Sequence, residues 1–180
     1  MIVHEPKHNA HSQSCTSPFN IPPSGLVHGS CASLGDSGVL LTGCSGAGKS
    51  SLLLRLIDSG FMLVGDDQIH LAGKLACPAS ALAGLVEIRG VGLVQMPSAP
   101  QTTLVLHVHL VPGIVPERLP PRQIDATSGL WQITMDGFHA DAVAVIRTVM
   151  RCIRGDLTLV CGVNGGSHDC LPLPSAREAR

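Results

Sequence analysis

The sequence predicts a single α/β domain of many short strands with few helices. Three observations carry this expectation. Only two stretches show helical periodicity, near residues 49–59 and 136–154. Many short apolar runs, separated by Gly and Pro, read as strands and do not alternate with helices as a regular βαβ chain would. One of the two helices opens directly out of a glycine-rich loop. With 180 residues, 44% of them hydrophobic and 14% charged, the chain has the size and apolar content for one real core.

Residues 1–24, rich in His, Ser, Asn and Pro, read as a flexible arm. Residues 25–34 read as a strand running to a turn at Gly35-Asp36, and Gly38 to Thr42 as a buried strand. A helix is expected from Lys49 to Ser59, with Leu52, Leu53, Leu56 and Ile57 as its apolar stripe and Gly60 as its stop. Phe61 to Val64 is the next strand, ending in Gly65-Asp66-Asp67, and Gln68 to Ala72 continues as a hairpin arm. Residues 73–101 are broken by prolines into short segments around GLVEIRGVG. Thr102 to Val111 alternates as a long strand, with Leu104, Leu106, Val108 and Leu110 on one face. Residues 112–128 form a Pro-rich loop, and Leu130 to Met135 a last core strand. Asp136 is the expected cap of a helix reaching Arg154, stopped by Gly155. Residues 156–180 read as a loose tail.

Composition excludes several roles. Twelve basic against thirteen acidic residues give a net charge of −1, which argues against a nucleic-acid partner. One Trp, three Phe and no Tyr leave no stacking platform for single strands. No apolar run approaches the roughly 18–20 residues of a membrane span. Seven scattered cysteines without a C-x-x-C pair fit a reduced, cytoplasmic protein. His4, His8, His11 and Cys15 have metal-like spacing, but on an arm with nothing to orient them no metal is expected there. His107 and His109 read as ordinary strand residues, and Cys44 as a small gap-filler.

Gly43-Cys44-Ser45-Gly46-Ala47-Gly48-Lys49-Ser50 fits G-x-x-x-x-G-K-[ST] at every fixed position, with an apolar strand before it and an amphipathic helix after it. The chemistry needs these residue types. Glycines let successive backbone N–H groups curl around an anion, and the helix N-terminus adds partial positive charge. Lys49 can reach the β- and γ-phosphates, and the Ser50 hydroxyl suits Mg²⁺. Asp66 and Asp67 end the following strand; adjacent strand residues point to opposite faces, so the two carboxylates have different jobs. One of them beside an acceptor hydroxyl can take its proton. Glu87 sits inside an apolar run and needs a partner, either Mg²⁺ or Arg89.

Taken together, Val27-His28-Gly29, GVLLTGCSGAGKS, SLLLRLIDSGFMLVGDDQIHL and GLVEIRGVG resemble the catalytic domain of HPr kinase/phosphorylase over roughly residues 25–155, in its short alphaproteobacterial form. GLVEIRGVG is the more discriminating part, since ordinary P-loop enzymes lack it. The resemblance implies a phosphoenolpyruvate-carboxykinase-like P-loop fold with a strongly curved mixed sheet. It implies an ATP-dependent kinase acting on a serine of the phosphocarrier protein HPr, whose site can also run phosphorolysis with inorganic phosphate. By position, the loop from Gly43 to Lys49, with Ser50 and Ser51, would hold the nucleotide, and Ser50 and Glu87 would hold Mg²⁺. Asp67 would be the base, His28 and Lys49 would support catalysis, and Arg118 would be the catalytic arginine. Gly65 stands where alanine is expected and Ser51 where longer members have an acid, and no phosphorolysis loop stands out near 120–127. A kinase for another protein or small molecule, and a nucleotide-binding regulator without turnover, remain open readings. Longer members form hexamers, so a homo-oligomer is open as well.

Overall fold

The computed structural model describes residues 21–125 and 128–166. The order is β1 (Ser24–His28), β2 (Ser30–Leu34), β3 (Ser37–Gly43), α1 (Lys49–Asp58), β4 (Met62–Gly65), β5 (Gln68–Ala72), β6 (Leu75–Pro78) and a 3₁₀ turn (Ser80–Leu82). Then come β7 (Leu85–Ile88), β8 (Gly92–Gln95), β9 (Thr102–Leu110), β10 (Trp131–Met135) and α2 (Ala142–Arg154). Eight strands make one sheet in the order β1-β5-β6-β9-β3-β2-β4, with β10 also on β9. The sheet is mixed: β3–β9 and β9–β10 are parallel and the other ladders antiparallel. β7 and β8 form a separate hairpin.

β9 is the spine. β3 runs along one of its edges; the other is shared by β6 at Thr102–Thr103 and β10 from Leu106 to Leu110. A strand paired on both edges and buried on both faces needs apolar residues throughout, as this one largely has. Against one face of the sheet pack Leu52, Leu53 and Leu56 of α1 and Ile146 and Met150 of α2, over Leu41, Leu106 and Val108. Each fully buried Leu contributes about 1.5–3 kcal/mol. The opposite core holds Val27, Leu40, Val64, Ile69 and Leu104. No helix lies over it among the described residues; the sheet covers it by curling. β4 touches β6 although β9, β3 and β2 separate them in the ladder.

Several expectations change. Residues 25–34 are two strands broken at Gly29, not one. The pairing of β3 with β9 slips between Gly38 and Val39, so Val105 is an extra residue. That bulge turns Leu104 to the curled core while Leu106, Val108 and Leu110 stay under the helices. Asp136 does not cap the second helix, which begins at Ala142 after Asp141. It instead closes a tight turn, accepting from Phe138 N at 2.9 Å and Gly113 N at 2.8 Å. Those two N–H groups hold its carboxyl below the ordinary carboxylate range. Within the expected loose tail, residues 156–166 return to the body of the domain: Val163 joins the main core, and its carbonyl takes the Gln123 N–H at 2.9 Å. Residues 1–20, with the His4–Cys15 group, lie outside the described residues, as does Cys170. No helix among the described residues is long and apolar enough to cross a membrane.

Candidate active site

β3 delivers the chain to the loop from the centre of the sheet. At Gly43 the backbone takes φ 146°, and a Cβ there would lie 2.5 Å from the Leu110 carbonyl oxygen, so only glycine fits. Ala47 N closes the turn onto Cys44 O at 3.1 Å, and Gly46 and Gly48 both have positive φ. α1 then starts at Lys49 with Gly48 as its N-cap and no capping side chain. The N–H groups of a helix's first turn lack intrahelical acceptors, so they stand ready for an anion. Lys49 is buried and folds back across its own loop, donating to Gly43 O at 3.0 Å and Cys44 O at 3.1 Å. Among the described residues its partners are two neutral carbonyls and no counter-charge, which a phosphate would supply.

The carboxylates follow the C-terminal end of β4, at the same edge of the sheet as the loop, because β3 and β4 both run antiparallel to β2 between them. Asp66 is buried and accepts a hydrogen bond from the Ser30 hydroxyl. Asp67 is exposed and takes φ 64°, the left-handed conformation that Asp tolerates better than most residues. Its carbonyl accepts from Gly29 N at 3.2 Å and bonds His28 Nδ1 at 2.9 Å. Gly29 is required there, since a Cβ would sit 2.6 Å from Leu41 O. Asp66 is thus buried and Asp67 presented outward; β4 ends at Gly65, so the turn with Asp67 in the left-handed conformation, and not the expected strand alternation, parts them. The absence of a side chain at Gly65 also has a cause: a Cβ would meet the Pro78 ring at 3.0 Å and Ile69 Cδ1 at 2.9 Å.

The hairpin β7–β8 supplies the third side, anchored by fully buried Val86. Glu87 is exposed beside it, so solvent meets its charge and no partner is needed. It makes no ion pair with Arg89 among the described residues. His28, Lys49, Ser50, Asp67 and Glu87 all line one cavity of about 570 Å³. Ser45, Gly46, Gly48 and Ser51 line it too, whereas Gly43, Cys44 and Ala47 do not; Ala47 is buried and Cys44 packs on the core. Ser50 and Glu87 offer the hard oxygen donors that suit Mg²⁺, which is usually held by one or two side chains plus substrate phosphates.

Arg118 is not brought to this cavity. It lines a larger one of about 840 Å³ with Val111, Ile114, Leu119 and Met135. The segment 136–141 separates the two: Phe138 faces the loop cavity, and Asp136, His139 and Asp141 the larger one. Arg89 and Phe138 are loop-cavity residues that sequence reasoning did not assign to the site. Arg89 is two residues from Glu87, the strand period, and that signal was available. Phe138, far along the chain, had none.

The domain model described as HPr Serine kinase C-terminal domain matches residues 20–109, which include every loop-cavity residue named above except Phe138. HPr kinase/phosphorylase of Bordetella pertussis is 38% identical over 120 residues, covering 58% of this chain and 39% of that protein. Its counterpart in Clostridium tetani is 33% identical over 99 residues, covering 53% of this chain and 32% of its own length. The chain thus spans about a third of the length of these curated relatives. The solved Hpr(Ser) kinase/phosphatase of Coxiella burnetii superposes with a TM-score of 0.60 at 25% identity, covering 73% of this chain and 92% of that one. By the extent of the domain match and this shared fold, the chain belongs to the HPr serine kinase C-terminal domain family.

Proposed function

We propose that this protein is an ATP-dependent serine kinase whose acceptor is the phosphocarrier protein HPr, and that residues 25–155 form its catalytic unit. The observation that carries the reading is the convergence of Lys49, Ser50, Asp67 and Glu87 on one cavity. The loop amides and Lys49 bind the β- and γ-phosphates and offset their charge. Ser50 and Glu87 would hold Mg²⁺, which would offset charge on the transferred phosphoryl group. The Asp67 carboxylate accepts the proton of the acceptor serine as its oxygen bonds to the γ-phosphorus and the bond to the β-phosphate oxygen breaks, releasing ADP. Run backwards with inorganic phosphate as the attacking group, the same site would release pyrophosphate from phosphoserine, with Asp67 returning the proton. His28 bonds the Asp67 carbonyl and fixes the backbone that aims the carboxylate. The names of the relatives and the shared family support HPr as acceptor, and a cytoplasmic setting follows from that partner.

Incubation of the protein with labelled ATP, Mg²⁺ and HPr should give HPr phosphorylated on serine, and added inorganic phosphate should reverse it. Label on other acceptors but never on HPr would defeat the choice of substrate. Tight ATP binding without any transfer would instead make this a regulator.

A further inference from the structure

One wall of the loop cavity is left unused by phosphate chemistry. Phe138 is 56% exposed, unusually so for a ring held in place. Its turn is fixed on several sides. Asp136 accepts its N–H and that of Gly113. Arg55 of α1 donates to the carbonyls of Gly137 and His139, one on either side of the ring. The ring also has a defined seat. A Cβ at Gly48 would lie 3.0, 3.1 and 3.3 Å from Cζ, Cε1 and Cε2. Near-equal distances to these three atoms put Gly48 beneath one face of the ring rather than beyond its rim. One face therefore rests on the phosphate loop, and the exposed area belongs to the other. Leu54 lines the same cavity one helical turn beyond Ser50 and Ser51.

We propose that Phe138 is the stacking surface for the nucleotide's base, with Leu54 as its apolar neighbour. This rests on the reading of the cavity as a nucleotide site. With the β- and γ-phosphates at Lys49, the part of the cavity lined by Leu54 and Phe138 is left for the nucleoside. An aromatic face binds any base through stacking, so adenine and guanine nucleotides are held by the same contact. Gly48 then serves twice: its positive φ shapes the loop, and its missing side chain leaves room for the ring.

Calorimetric titration of the full chain with Mg²⁺ and either ATP, GTP or inorganic tripolyphosphate tests this. Phe138→Ala should weaken ATP and GTP by about 5- to 100-fold, the range of one base–aromatic contact, and leave tripolyphosphate essentially unchanged. Phe138→Trp should bind ATP as the wild type does. Unchanged ATP affinity in Phe138→Ala overturns the proposal. Equal weakening of ATP and tripolyphosphate also overturns it, because the ring would then only brace the loop. If wild-type protein binds neither ATP nor tripolyphosphate, the nucleotide-site reading fails, and the stacking proposal fails with it.

Discussion

Two cavities share the wall formed by residues 136–141, and they differ in kind. The larger, about 840 Å³, is bounded mainly by apolar side chains such as Val111, Ile114, Met135 and Val149, with Arg118 on the Pro-rich loop. The smaller, about 570 Å³, gathers a buried lysine, a helix N-terminus, two carboxylates and a histidine. Size does not locate chemistry here. Phosphoryl transfer needs charge complementarity at fixed positions, and the smaller cavity brings a buried cation, free helix N–H groups and carboxylates together. Gly29, Gly43 and Asp67 hold conformations or contacts that few other residues could take. Such positions persist where the surrounding structure over-determines the backbone.

Substitutions can break this contrast or sharpen it. Lys49→Ala removes the one buried cation of the loop cavity and should cut phosphate transfer by on the order of 10²–10³, read as initial rate with labelled ATP. Gly43→Ala drives a methyl group toward the Leu110 carbonyl. It should cost about 2–3 kcal/mol and lower Tm by roughly 5–10 °C in a thermal melt. Arg118→Ala, in the other cavity, should leave ATP affinity unchanged and alter transfer by less than about tenfold. A much larger loss would show that residues 112–128 swing Arg118 across to the phosphates.

A gentler test uses pH. His107 is buried behind the loop strand, 2.7 Å from Thr42 Oγ1. Burial first, and then His109, lower its pKa from 6.5 to about 3. The unfolded chain thus binds the proton more readily, so stability present above pH 6.5 is lost as pH falls toward about 3. The loss is about 1.4 kcal/mol per pH unit in that window. His107→Gln should flatten the slope of urea-melt stability between pH 6 and 4, leaving the neutral value changed less than the acid one.

What the sequence disclosed follows from the range of the forces involved. The phosphate loop's backbone and the helix it opens rest on local geometry and were legible; Asp66 and Asp67 do face different ways, but through a turn after β4 rather than through the strand alternation the sequence suggested. The Val105 bulge was not, because alternation along β9 reads as one face until its pairing with β3 is known. Asp136 looked like a helix cap because Asp serves equally well in a turn, and only the contact with Gly113 decides which. Phe138 reaches Gly48 across ninety positions of chain, and Arg118 sits in a cavity made by three stretches, 109–123, 133–149 and 159–163. Long-range meetings of that sort leave no periodic trace.

The central claim is that Asp67 takes the acceptor serine's proton beside a nucleotide held by the loop. Asp67→Asn keeps size and polarity but removes the base. Measured together on that variant, ATP affinity should stay near wild type while the rate of serine phosphorylation of HPr falls by on the order of 10²–10⁴. Undiminished transfer by Asp67→Asn would contradict the account.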